Sequence, residues 1–126
     1  RNLSFSYSGG FLTGFIDMLF MYGGRFYLLD WKSNHLGHRR QDYSTSRLED
    51  VMVSEHYILQ YCLYTVAANR YLQLRRPGYE YATHFGGVFY VFLRGVDSAA
   101  GPATGIYCDR PDPGLIRALD QTLLDM

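Results

Sequence analysis

Two apolar runs early in the chain, residues 11–21 and 26–31, stand on either side of Tyr22-Gly23-Gly24-Arg25. Both are rich in β-branched, aromatic and leucine side chains, and Gly-Gly between such runs is a tight-hairpin signal. In each run apolar residues fill alternate and intervening positions alike, the pattern of strands covered on both faces, so helices are expected on each side of the sheet. Residues 34–46 are polar, hold His35, Gly37, His38, Arg39 and Arg40, and lack periodicity. They predict a mobile loop directly after the second strand, where functional groups often sit. Ser46 with Glu49 forms a capping-box pattern, and Leu48, Met52, Leu59, Leu63, Val66 and Ala67 then recur at helical spacing until Pro77-Gly78. This predicts one long helix, or two broken near Ser54. Residues 88–93, introduced by Gly86-Gly87 and ended by Gly95, predict a further strand in the same sheet. Residues 101–112 read as a Pro/Gly-punctuated loop. Residues 113–124, with Pro113 in the first turn and Leu115, Ile116, Leu119 and Leu123 on one face, predict a short amphipathic helix. The expected fold class is α/β, a mixed sheet with a central hairpin flanked by helices.

The chain has 126 residues, 48% of them hydrophobic and 17% aromatic, enough for one domain over residues 1–126 with a substantial core. Twelve Lys and Arg against 12 Asp and Glu leave a formal charge of zero, which argues against a free-standing DNA-binding module with a broad phosphate-neutralising surface. No apolar run approaches the roughly 20 residues of a membrane helix, and the opening residues lack a signal-peptide layout, so a soluble intracellular protein without a membrane partner is expected. Cys62 and Cys108 form neither a disulfide framework nor a zinc spacing. The sequence opens without Met in Leu3-Ser4-Phe5-Ser6-Tyr7, as if a strand were already under way, and is expected to be a fragment.

The hairpin carries the candidate chemistry. If Gly23-Gly24 is a two-residue turn, Tyr22 faces Arg25, every facing pair sums to 47, and Asp17 lies opposite Asp30. Opposed residues have Cβ atoms about 4.5–5.5 Å apart, and like charges there repel. Lys32 projects from the same face as Asp30, two residues along the strand. The neighbours Phe15, Ile16, Met18, Leu28, Leu29 and Trp31 are apolar, a setting where an isolated charge costs several kcal/mol. Two converging carboxylates suit Mg²⁺, which takes one or two protein carboxylates and completes its shell with water and phosphate oxygens. The alternative is that Lys32 salt-bridges one aspartate near a sheet end without any metal. That accounts for one carboxylate and leaves the other.

At these residues the chain resembles the RecB nuclease family within the PD-(D/E)xK superfamily. Gly14-Phe15-Ile16-Asp17 is similar to the family's G-x-I-D motif, Leu29-Asp30-Trp31-Lys32-Ser33-Asn34 to its D-x-K motif, and Gln60 with Tyr64 to its Q-x-x-x-Y helix motif. His84-Phe85-Gly86-Gly87-Val88 and Phe92-Leu93-Arg94-Gly95 extend the resemblance over nearly the whole chain. It implies a restriction-endonuclease-like core, Asp17, Asp30 and the backbone carbonyl of Trp31 as metal ligands, and Lys32 as the catalytic lysine. Gln60 and Tyr64, one helical turn apart, would reach the same bound phosphate or its water. The implied cofactor is Mg²⁺, with Mn²⁺ or Ca²⁺ able to occupy the site, and the implied activity is exonuclease and endonuclease cleavage of DNA in double-strand-break repair and recombination. The implied setting is a bacterial cytoplasmic enzyme whose helicase binds ATP and whose partners are RecC, RecD and DNA. These residues hold no phosphate-cradling loop of their own. The family also draws a His or acidic ligand from a helix upstream of the first strand, which this chain starts too late to contain. None of His35, His38, His56 or His84 matches that position. Delivery of DNA by a motor would explain the neutral charge, since a high local concentration replaces a basic face. A second class stays open, a docking or structural domain silent in catalysis. A glycosidase with two carboxylates is weaker, because nothing in it calls for Lys32.

Overall fold

A computed structural model describes residues 3–6, 13–97, 99 and 104–125. In chain order its elements are strands β1 (Leu3–Ser6), β2 (Thr13–Ile16), β3 (Met18–Tyr22) and β4 (Arg25–Lys32), helices α1 (Thr45–Ser54), α2 (Tyr57–Arg75) and α3 (Tyr81–His84), strands β5 (Phe85–Phe92) and β6 (Ile106–Asp109), and helix α4 (Pro113–Leu124). β1 and β2 pair as a separate antiparallel ribbon, and the main sheet runs β3-β4-β5-β6. Only β4 and β5 are parallel, with α1, α2 and α3 filling the crossover that a parallel pair requires. This is the mixed α/β arrangement expected, a four-stranded sheet flanked by helices, consistent with a restriction-endonuclease-like core.

The hairpin forms as predicted. Gly23 and Gly24 have φ of 59° and 80°, the paired positive values of a tight turn whose twist matches its strands. The register runs from Tyr22↔Arg25 to Met18↔Leu29, every pair summing to 47. Inward-facing Leu28, Val88, Tyr90 and Phe92 meet Leu48, Val51 and Met52 of α1 and Tyr61, Cys62 and Ala68 of α2 in one core. α4 packs outside α2, where Val66 meets Ile116 and Arg70 pairs with Asp120. Its span matches the sequence expectation, with Asp112 accepting from the N–H groups of Gly114 and Leu115 ahead of Pro113.

Four expectations need correction. Among the described residues the helices contribute to the core on one sheet face, not on each side. On the other face Phe20, Tyr27, Leu29, Phe89 and Val91 are only half-buried, with Tyr27 ring centroids 5.4 Å from Phe20 and 5.7 Å from Phe89. Helix α1 is capped by Ser44, not Ser46, because an isolated bridge to Thr104 holds Ser44 extended and its hydroxyl accepts from Arg47 N–H. Residues 101–112 contain β6, which takes its extended form by pairing along the edge of β5 rather than from its own pattern. The loop after β4 is pinned by a 3₁₀ turn, Arg40–Tyr43, whose Tyr43 is buried and accepts the Leu36 N–H at 3.0 Å. The helical break falls beside Ser54, as one of the two alternatives had it, at Glu55 and left-handed His56 (φ 60°). No described helix is long and apolar enough to cross a membrane.

A Cβ on Gly95 would fall on the Tyr43 ring. Gly95→Ala is therefore expected to lower stability by about 1–3 kcal/mol, the usual cost of overpacking, read as a lower denaturant midpoint.

Candidate active site

The geometry starts where the hairpin ladder stops. A continued register would set Ile16 opposite Trp31, but the chain bends at Asp17, between β2 and β3. The Asp17 carboxylate, through Oδ2, accepts the Trp31 N–H at 2.8 Å. A side chain thus takes a bond that the backbone ladder would otherwise supply, and this brings the acid beside Asp30.

Asp30 is buried, at 7% exposure, and belongs to the inward-facing positions of β4. Burial, followed by contact with Asp17, pushes its carboxyl up to about 6. Lys32 opposes the rise without cancelling it, although its Nζ lies 2.9 Å from Asp30 Oδ2. Asp17 moves the other way. Its contact with Asp30 comes first, and the Trp31 N–H and Lys32 add to it, holding it below the ordinary carboxylate range. One aspartate is therefore firmly ionised while its neighbour keeps a proton into mildly acidic pH.

Lys32 is held from several sides. Besides Asp30, its Nζ donates to Gln60 Oε1 at 3.2 Å and lies 4.2 Å from the Tyr57 ring centroid and 5.3 Å from that of Tyr90. The Tyr90 hydroxyl also donates to Gln60 Oε1, at 2.6 Å. Ammonium and phenol both act as donors here, so the amide must present its oxygen to them, leaving its N–H₂ turned away. Tyr57 closes the ring of contacts through a hydrogen bond with Asn34 at 3.2 Å. These contacts arise because Asp30 and Lys32 pair across the parallel ladder with Tyr90 and Phe92, while Tyr57 and Gln60 lie in the first turn of α2 above them.

Of the residues expected from sequence, Asp17, Asp30, Lys32 and Gln60 come together. Tyr64 is half-buried against the core. The Trp31 side chain is exposed. His35 and His38 meet edge to face in the following loop, His56 is the left-handed residue before α2, and the His84 ring accepts the Glu80 N–H. The metal-free alternative correctly anticipated the Lys32–Asp30 ion pair. Tyr57 and Tyr90 are not among the residues the sequence singles out, and Asn34 is there only as the last position of the D-x-K motif, without a role. Tyr57 lies three residues before Gln60, which a helical-face argument could have exposed. Tyr90 is placed only by the β4–β5 pairing.

The donor set fits a hard cation. Two adjoining carboxylates offer oxygen alone, and Mg²⁺ takes one or two carboxylates with water filling the rest. Among the described residues no group of three or more His, Cys, Asp or Glu is placed to hold a metal ion, so the pair would bind as a two-acid site.

No family model matches the chain. It is 48% identical to the RecBCD enzyme subunit RecB of Escherichia coli K12 over 124 residues, 98% of this chain and 10% of the relative. RecB of Haemophilus influenzae is 45% identical over 120 residues, 95% of this chain and 10% of the relative. RecB of Mycobacterium tuberculosis is 40% identical over 120 residues, 90% of this chain and 11% of the relative. The chain thus spans about a tenth of the length of the curated relatives it matches. The resemblance read from the three motifs holds along nearly the entire chain, and this sequence is that of a RecB homologue.

Proposed function

We propose that this chain carries the Mg²⁺-dependent phosphodiesterase centre of a RecB-type nuclease, hydrolysing DNA in double-strand-break repair and recombination. The observation that carries the proposal is the coupled Asp17–Asp30 pair with Lys32 held against it. Asp17, Asp30 and the Trp31 carbonyl would hold the ion, which when bound would neutralise phosphoryl oxygens and acidify a coordinated water. Mn²⁺ or Ca²⁺ would fit the same oxygen donors.

Lys32 is the catalytic lysine in this proposal. Anchored by Asp30 and Gln60, it keeps one N–H to orient the attacking water or to meet charge building on the phosphoryl oxygens. Gln60 binds substrate through the N–H₂ that its two donors leave over. Tyr64, one turn further on, is assigned to the same phosphate or its water. By analogy with the RecBCD subunits it matches, the parent protein would act in the bacterial cytoplasm with RecC and RecD, and ATP would serve its helicase. The ion pair alone also suits a silent docking domain, so the test must separate the two.

In the full-length protein, Asp30→Ala and Lys32→Gln are each expected to lower Mg²⁺-dependent degradation of linear single-stranded DNA by about 100-fold or more. Unchanged degradation in both would remove the hairpin from catalysis. Mg²⁺ at ten times its Kd should stabilise the protein by about 1.4 kcal/mol, and a docking domain should show no gain beyond ionic strength.

The pH dependence has a definite sign. Asp30 has a folded value near 6, above the unfolded 3.8, so its contribution to stability is full at low pH and is lost as pH rises through about 6. A metal needs the carboxylate, so the Mg²⁺-induced rise in Tm should be small at about pH 5 and reach a plateau above about pH 7. Asp30→Asn should flatten that profile, and a parent profile that is already flat would contradict Asp30 as a ligand.

A further inference from the structure

Beyond the C-terminal ends of the parallel strands β4 and β5 lies an open cleft of about 440 Å³ between the loop at Gly37, His38, Arg39 and Arg40 and the segment at Arg94 and Gly95. Three guanidiniums line it. Arg39 pairs with Asp42 at 3.1 Å and Arg40 with Asp97 at 2.5 Å. Arg94 has no acidic partner among the described residues. Its Nε donates to the Ser33 carbonyl at 2.8 Å, which fixes the guanidinium plane and leaves both Nη groups for another acceptor. Three cations against two carboxylates give the cleft one net positive charge within a chain whose formal total is zero.

The walls are preset. A Cβ on Gly37 would fall on the Asp42 carboxylate, and one on Gly95 would fall on the Tyr43 ring. Tyr43 is held at both ends, accepting the Leu36 N–H at its hydroxyl and the Gly105 N–H at its carbonyl. Exposed ion pairs could serve only to staple these loops, at about 0–1 kcal/mol each. That explains Arg39 and Arg40 but leaves Arg94 without an acid. The carbonyl that Arg94 grips belongs to Ser33, the residue after Lys32, so the cleft's unpaired arginine is tied to the end of the strand that bears the proposed catalytic lysine.

We infer that this cleft binds one backbone phosphate of a nucleic-acid single strand, next to the phosphate at Asp17 and Asp30. Arg94 is its principal ligand, and Arg40 and the Gly37 and Gly95 backbone form its rim. The charge matches, since one net positive cleft meets one phosphodiester anion, and a planar guanidinium with two free N–H₂ groups suits bidentate phosphate contact. The inference rests on the nuclease proposal for its position in the strand but not for the binding itself.

The test uses the full-length protein and a single-stranded oligonucleotide in EDTA, so that binding is read without cleavage. One methylphosphonate linkage, which removes a single phosphate charge, is moved stepwise along the strand. In the parent, one position should weaken binding about three- to tenfold. Arg94→Gln should show that loss with the native strand, be insensitive to the neutral linkage there, and have a salt slope shallower by ~0.7. Arg94→Lys, which keeps the positive charge, should keep most of the slope. An Arg94→Gln protein with the parent's salt slope and linkage pattern would overturn the inference. So would normal binding with lost turnover, which would assign Arg94 to the chemistry or to loop structure. If the parent fails to cleave in Mg²⁺ yet shows the linkage penalty that Arg94→Gln abolishes, the phosphate site stands and the nuclease proposal falls.

Discussion

The register imposed by the Gly23-Gly24 turn is the constraint on which the rest of the site depends. With both glycines at positive φ the turn has two residues, and all facing pairs back to Met18 and Leu29 follow from it. A shift of one residue would move every β3 side chain to the opposite face relative to β4. Asp17 could then no longer stand beside Asp30, and the Trp31 N–H would lose the carboxylate that receives it. The core depends on the same register, because Leu19 and Leu28 share the inward face with the acids.

Against this backbone, the electrostatics are a contest between desolvation and pairing. Burial raises Asp30, and the lysine at 2.9 Å does not outweigh it. Removing one member of such a pair usually costs about 3–5 kcal/mol, since it strands a buried charge. The sequence keeps that arrangement amid apolar neighbours and surrounds the ammonium with an amide oxygen and two aromatic faces. An apolar triad would pack there with less difficulty, so stability alone does not account for the constellation.

What could be read from the sequence was what is local. Gly-Gly fixed a turn, and simple addition then brought Asp17 and Asp30 to adjacent places although they are well separated along the chain. Pro113 and Asp112 marked the start of α4, and the weak point beside Ser54 marked the helix break. What could not be read depends on partners distant in sequence. β6 is a strand because β5 offers it an edge, and α1 starts early because Thr104 holds Ser44. Tyr90 joins the site because β4 and β5 run parallel in one particular register. Tyr43 is a tyrosine in a polar loop until the 3₁₀ turn buries it.

The left-handed residue His56 separates α2 from α1, so a new helix begins beside Lys32 rather than passing over it. Tyr57 and Gln60 are therefore first-turn residues, and no side chain caps the turn that bears them. The aligned peptide dipoles of a helix of this length place roughly half a positive charge at that end. An anion bound there would draw part of its attraction from the main chain of α2, where no single side-chain replacement can remove it.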